Sequence, residues 1–131
     1  MAISFTSTLK QNRANAIDSL VGANAKIVLY DGTPPTNAGT ALSGNAVLAT
    51  LTMTTAFAAS TTNGVLQVNS IPSATVTTSG TASFFRVLKS DNTVVIQGSV
   101  GTSNSDLNLS TNILQANATV SITSFVLTEA N

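Results

Sequence analysis

Apolar residues near the start of the chain recur at a helical period. Phe5, Leu9, Ile17, Leu20 and Val21 fall near one face, with Lys10, Arg13, Asn15 and Asp18 away from it. Thr6 or Ser7 can cap the start and Gly22 suits the stop. The spacing predicts a helix over 7–21, packed on a core or docked as an arm on a neighbouring subunit. After Gly22 the period changes to two. Short runs of Val, Ile, Thr and Phe alternate with turn clusters, which predicts strands near 26–30, 46–53, 65–70, 74–78, 82–89, 93–100, 107–109 and 119–127. In the last of these, Val120 and Ile122 are out of phase with Phe125 and Leu127. A bulge near Thr123 and Ser124 would bring all four to one face; otherwise both faces need cover.

Between the first two strands lies "DGTPPTNAGTALSGN" (31–45), where two Pro and three Gly forbid regular structure. Loops of this length often carry function or contact other subunits. The stretch "GTASFFRVLKSDNTVVIQGSVG" (80–101) predicts a hairpin turning at Ser90, Asp91 and Asn92. Ala82, Phe84, Arg86 and Leu88 share one face, and Ser83, Phe85, Val87 and Lys89 the other. Both faces carry a Phe and an aliphatic, so one meets the core and the other needs the helix, the long loop or another subunit. Arg86 needs a partner among these neighbours or must reach water along its stem; Asp31, Asp106 and Glu129 are candidates. The pattern predicts a mainly β fold, an antiparallel two-layer β-sandwich, jelly-roll-like or immunoglobulin-like, with one N-terminal amphipathic helix. Residues 1–23 form the arm and helix, and residues 24–131 the sandwich.

Composition narrows what such a domain does. The chain has 131 residues, net charge zero and only 8% charged residues, against ~25% in ordinary soluble domains. Five basic residues spread along the chain make no phosphate-facing surface, so no nucleic-acid partner is expected. No run of apolar residues suits a membrane span, and the first residues lack the pattern of a secretory signal, which fits cytoplasmic synthesis. Ser, Thr and Asn exceed a third of the chain, while Cys and His are absent. Most nucleophile–base pairs and transition-metal sites are thereby excluded. The acidic residues Asp18, Asp31, Asp91, Asp106 and Glu129 are too scattered to suggest a catalytic pair. Asn104, Asp106 and Asn108 place oxygens at alternate positions and could hold Ca²⁺, but the central Gly and distal Glu of a calcium loop are missing. Turn capping of their own backbone is the alternative. No cofactor, metal, catalytic residue or small-molecule substrate is expected.

The order of segments is itself informative. The helix is followed by "AKIVLYDGTPPTNAG", "AVLATLTM" and "GTASFFRVLKSDNTVVIQGSVGTSNSDLNLSTNILQANATVSITSFVLT". This arrangement resembles a widespread group of small tailed-bacteriophage virion proteins encoded with head genes. There the matching segments read as a "LxIYxGTQPA"-like strand and loop, a "GTAxWFRLxDxxGTVVxDGSVGTxxADLNL"-like hairpin and a "VxVTSxxLT"-like closing strand. Ser83 and Phe84 stand where that pattern has Gly or Ala before Trp, and Gln97 where it has Asp. The resemblance implies a non-enzymatic virion structural protein, a head decoration (cement) protein. It would form a dimer or trimer and bind the major capsid protein on the outer head surface. A tail or fibre component with receptor-binding function is the alternative, and copy number per virion separates the two. A carbohydrate-binding or hydrolytic sandwich is disfavoured by the absence of Trp and the single Tyr. The expected contact surfaces are the N-terminal arm and helix, the 31–45 loop and the outer face of the hairpin. Phe5, Leu9, Pro34, Pro35, Phe84, Phe85 and Arg86 are the named contacts.

Overall fold

The computed structural model describes residues 3–62 and 64–128. Helix α1 (Ser7–Val21) begins at Thr6, whose Oγ1 accepts the Leu9 N–H at 3.2 Å, and ends at Gly22. There the Gly22 N–H closes the last turn on the Asp18 carbonyl at 3.0 Å, and a φ of +71° turns the following chain out of the helix. Its buried strip differs from the expected one. Ala14 and Val21 are buried and Ile17 packs against the core, whereas Leu9 and Leu20 are 43% and 56% exposed. Ala14, Ile17 and Val21 face the sheet, and Leu9 and Leu20 are turned outward. Asp18 faces inward rather than away: its Oδ1 accepts the Ala58 N–H at 2.9 Å and ties the helix to the sheet.

Among the described residues twelve strands follow: β1 (Lys26–Tyr30), β2 (Val47–Thr52), β3 (Ala58–Thr62), β4 (Val65–Val68), β5 (Ala74–Thr75), β6 (Gly80–Thr81), β7 (Phe84–Leu88), β8 (Val94–Gly101), β9 (Leu107–Leu109), β10 (Ile113–Leu114), β11 (Thr119–Val120) and β12 (Ile122–Thr128). Eight form one curled sheet in the order β2-β1-β7-β8-β9-β12-β4-β3; β6 pairs with β10 and β5 with β11. All pairings are antiparallel except β8–β9. A sustained parallel ladder needs a crossover of roughly a dozen residues or more. Here only residues 102–106 intervene, so parallel pairing stops after Val100↔Leu107 and Gly101↔Asn108 and the chain turns a corner. The two halves of the sheet face each other across one core, giving the expected mainly β, sandwich-like fold with a single N-terminal helix.

The core is apolar and aromatic at its centre. Phe85 of β7 meets Phe125 of β12 edge to face at 5.0 Å, and Phe57 approaches Phe125 at 6.1 Å. Such pairs add about 0.5–1.5 kcal/mol beyond area burial. Gly98 of β8 makes room for this cluster, because a Cβ there would lie 2.7 Å from the Phe85 ring. The bulge in β12 is present: Ile122 opposes Leu109 and Ser124 opposes Asn108, leaving Thr123 unpaired in the register. Val120, Ile122, Phe125 and Leu127 all reach the core as a result. The helix residues Ala14 and Val21 belong to the same core, so arm and sandwich share it.

Candidate interaction surface

The other side of β7 carries a second, smaller cluster. Val28, Tyr30 and Phe84 are buried there, with Leu42 and Leu88 packed against them, and Tyr30 stacks on Phe84 at 5.1 Å. Leu42 comes from the 31–45 loop, so the hairpin's outer face is covered by the loop of its own chain. The loop is latched at its base. Asp31 Oδ1 accepts the Ala46 N–H at 2.7 Å, and Asn45 Nδ2 donates to the carbonyls of Asp31 and Thr33 at 2.8 and 3.1 Å. Ser83 Oγ donates to the Gly32 carbonyl at 2.5 Å.

Its middle is held by Arg86. In the register, Arg86 opposes Val28 on β1 and Gln97 on β8. Its Nε donates to Gln97 Oε1 at 2.9 Å and its Nη2 to the Thr40 carbonyl at 2.6 Å. Gln97 Nε2 passes the connection on to the Pro35 carbonyl at 2.8 Å. Burying a guanidinium is costly unless its donors are used, and hydrogen bonds from a charged donor each contribute about 1.5–3 kcal/mol. The sequence left Arg86 with acidic candidates, and here it is corrected. Asp31 is occupied by Ala46, and Asp106 Oδ2 accepts from the Ser99 N–H and Oγ at 2.9 and 3.1 Å. Glu129 lies outside the described residues. The partners are neutral because strand register puts Gln97 directly opposite. Burial raises the Tyr30 phenol pKa above its ordinary value, and the Arg86 charge partly opposes that rise.

The named contact residues separate into two places. Pro34, Pro35, Phe84 and Arg86 gather around the loop: Pro34 is exposed and Pro35 half-buried, whereas Phe84 and Arg86 are buried. Phe85 points to the opposite face and is wholly inside the core. Within the chain, Phe84 and Phe85 are therefore covered, and Arg86 shows only a few per cent of its surface. Phe5 and Leu9 belong to the other half of the sheet, where α1 packs on β3 and β4. Phe5 is half-buried with its ring 5.2 Å from Arg13 Cζ. Gln97 and Thr40 escaped sequence reasoning. The hairpin alternation was the available signal for Gln97, whereas nothing local marks a carbonyl such as that of Thr40.

Other places offer less chemistry. Asn108 Oδ1 accepts the Ser105 N–H at 3.2 Å, and its Nδ2 donates to the Ser105 carbonyl and to Ser124 Oγ. Asn104 adopts a φ of +56°. Asp106 and Asn108 thus cap local backbone, and no cluster of three or more His, Cys, Asp or Glu suits a metal among the described residues. A cleft of about 220 Å³ between β4 and β12, lined by Gln67, Asn69, Ile122, Ser124 and Phe125 among others, contains no titratable side chain. Among the described residues no helix is long and apolar enough to cross a membrane. Comparison with protein-family models, curated proteins and solved structures returns no match.

Proposed function

We propose that this chain is a non-enzymatic virion structural protein: a decoration (cement) protein that oligomerises, binds the major capsid protein on the outer head surface and stabilises the head. The observation that carries this reading is the outward stripe of α1. Leu9, Ala16 and Leu20 lie close to one line along the helix and are exposed, and Ile3 ahead of it is 77% exposed. Large apolar side chains aligned in water mark a surface meant for a partner. The resemblance in segment order supports the same reading, as does the near absence of charge, which does little to keep copies apart. Specific interfaces bury ~1,200–2,000 Å², and many symmetry-related copies add avidity.

Rebinding of purified protein to capsids stripped of it tests the reading. Deleting the helix would remove Ala14 and Val21 from the core, so the informative variant is Leu9→Ser with Leu20→Ser. Both residues are exposed, and stability should change by no more than about 0.5 kcal/mol per site. Affinity should fall at least tenfold, since burying one Leu contributes about 1.5–3 kcal/mol. Wild-type protein that does not rebind would count against the capsid; unaltered rebinding by the double variant would count against the helix.

A further inference from the structure

The outer face holds one charge that no acidic group among the described residues balances. Arg86 is 4% exposed, and no carboxylate of the described residues pairs with it. A guanidinium has five N–H donors. Two are used, on Gln97 and Thr40; the second Nη2 hydrogen and both on Nη1 have no partner among the described residues. Among the described residues, no fully buried polar side-chain atom lacks a partner. The unused edge of the guanidinium therefore touches the surface. Tyr30 sits diagonally across the β1–β7 register from Arg86 and is 6% exposed. Its hydroxyl is likewise without a partner among the described residues and reaches the surface by the same reasoning.

Donors without acceptors around a fixed cation select an anion. The planar fork of Arg matches a carboxylate, and one negative charge balances the one positive charge present. A phosphate dianion would bring a second charge that Arg86 cannot offset. Only a few per cent of Arg86 and Tyr30 is exposed, which favours a small head group over a bulky anion. We propose that the Arg86–Tyr30 notch receives one Asp or Glu side chain of the protein that binds across the 31–45 loop. The partner's identity rests on the decoration reading; the chemistry of the notch does not.

Two measurements separate these. In the first, ¹⁵N-labelled protein is titrated with sodium acetate against sodium chloride at equal ionic strength, following the Arg86 side-chain N–H signals. Arg13 is the other arginine, and Arg13→Lys assigns the spectrum. A saturable, acetate-specific shift that weakens several-fold in Tyr30→Phe is expected; no saturable shift overturns the notch. In the second, Tyr30→Phe is compared with wild type in rebinding to stripped capsids. Phe keeps the ring stack on Phe84, so the fold should be unchanged while affinity falls about tenfold, the loss expected for one hydrogen bond to a charged group. Equal rebinding overturns the partner carboxylate even if acetate binds. Wild type that fails to rebind removes the capsid as its source, and the acetate titration still decides the notch.

Discussion

The two sides of strand β7 close in different ways. Phe85 and Val87 face the shared core, where Phe85 packs on Phe125 from the far half of the sheet. Phe84, Arg86 and Leu88 face outward, where closure depends on a loop held by Gln97, Arg86 and latches at its base. The inner side is sealed by hydrocarbon that no nearby group can replace. The outer side is sealed by a small apolar cluster together with hydrogen bonds from Arg86 and Gln97 to loop carbonyls. A strand with apolar residues on both faces therefore need not imply two subunits: one face met the core and the other met fifteen residues of the same chain, 31–45.

That contrast can be broken at its strongest point first. Phe85→Ala should cost about 3–5 kcal/mol, as full truncation of a core Phe does. Phe84→Ala should cost less, because the loop can settle into the gap. Denaturant unfolding of both variants checks the order. Equal costs would mean that the outer cluster is as fixed as the core. A smaller effect is expected from Gln97→Ala, which removes both the acceptor of Arg86 and the donor to Pro35. The loss should be about 1–3 kcal/mol, with faster amide exchange confined to the 31–45 loop and the core strands unchanged. Uniformly faster exchange would show that loop and core do not open separately.

The smallest effect belongs to the hairpin turn. Hydrogen bonds from Thr93 hold the Asp91 carboxyl below its ordinary pKa of 3.8, with a minor contribution from Lys89. A depressed folded pKa stabilises above the unfolded value and loses that contribution as pH falls through the folded one. Asp91 is exposed, so the effect on global stability should be slight. A carbon-detected NMR titration should place its midpoint below 3.8, and Asp91→Asn should leave unfolding at neutral pH nearly unchanged. A midpoint at or above 3.8 would remove the proposed turn bonds.

Much of this was legible along the chain. The helix bounds, the first strand, the strand at Leu107–Leu109 and the hairpin follow from periodicity and turn residues. The bulge in β12 could be inferred because Val120, Ile122, Phe125 and Leu127 otherwise divide between two faces. The strands Ala58–Thr62, Gly80–Thr81 and Ile113–Leu114 were not legible. Two of them have only two residues, too few to show a period. Ala58–Thr62 has Ala, Ser and Thr without alternation, and its pairing with β4 supplies the signal its composition lacks.

Local chemistry thus determined where backbone conformation changes: Thr6 and Gly22 bound a helix, Asn92 with a φ of +71° turns a hairpin, and β-branched runs extend. It also showed that Arg86 needs help. Tertiary structure alone decided who gives it, because the carbonyl of Thr40 lies 46 positions away and a backbone acceptor has no sequence signature. The same holds for the burial of Ala14, Ile17 and Val21 on α1 rather than its leucines. Periodicity places several residues near one face, but only the docking of the helix on the sheet selects Ala14, Ile17 and Val21 for burial.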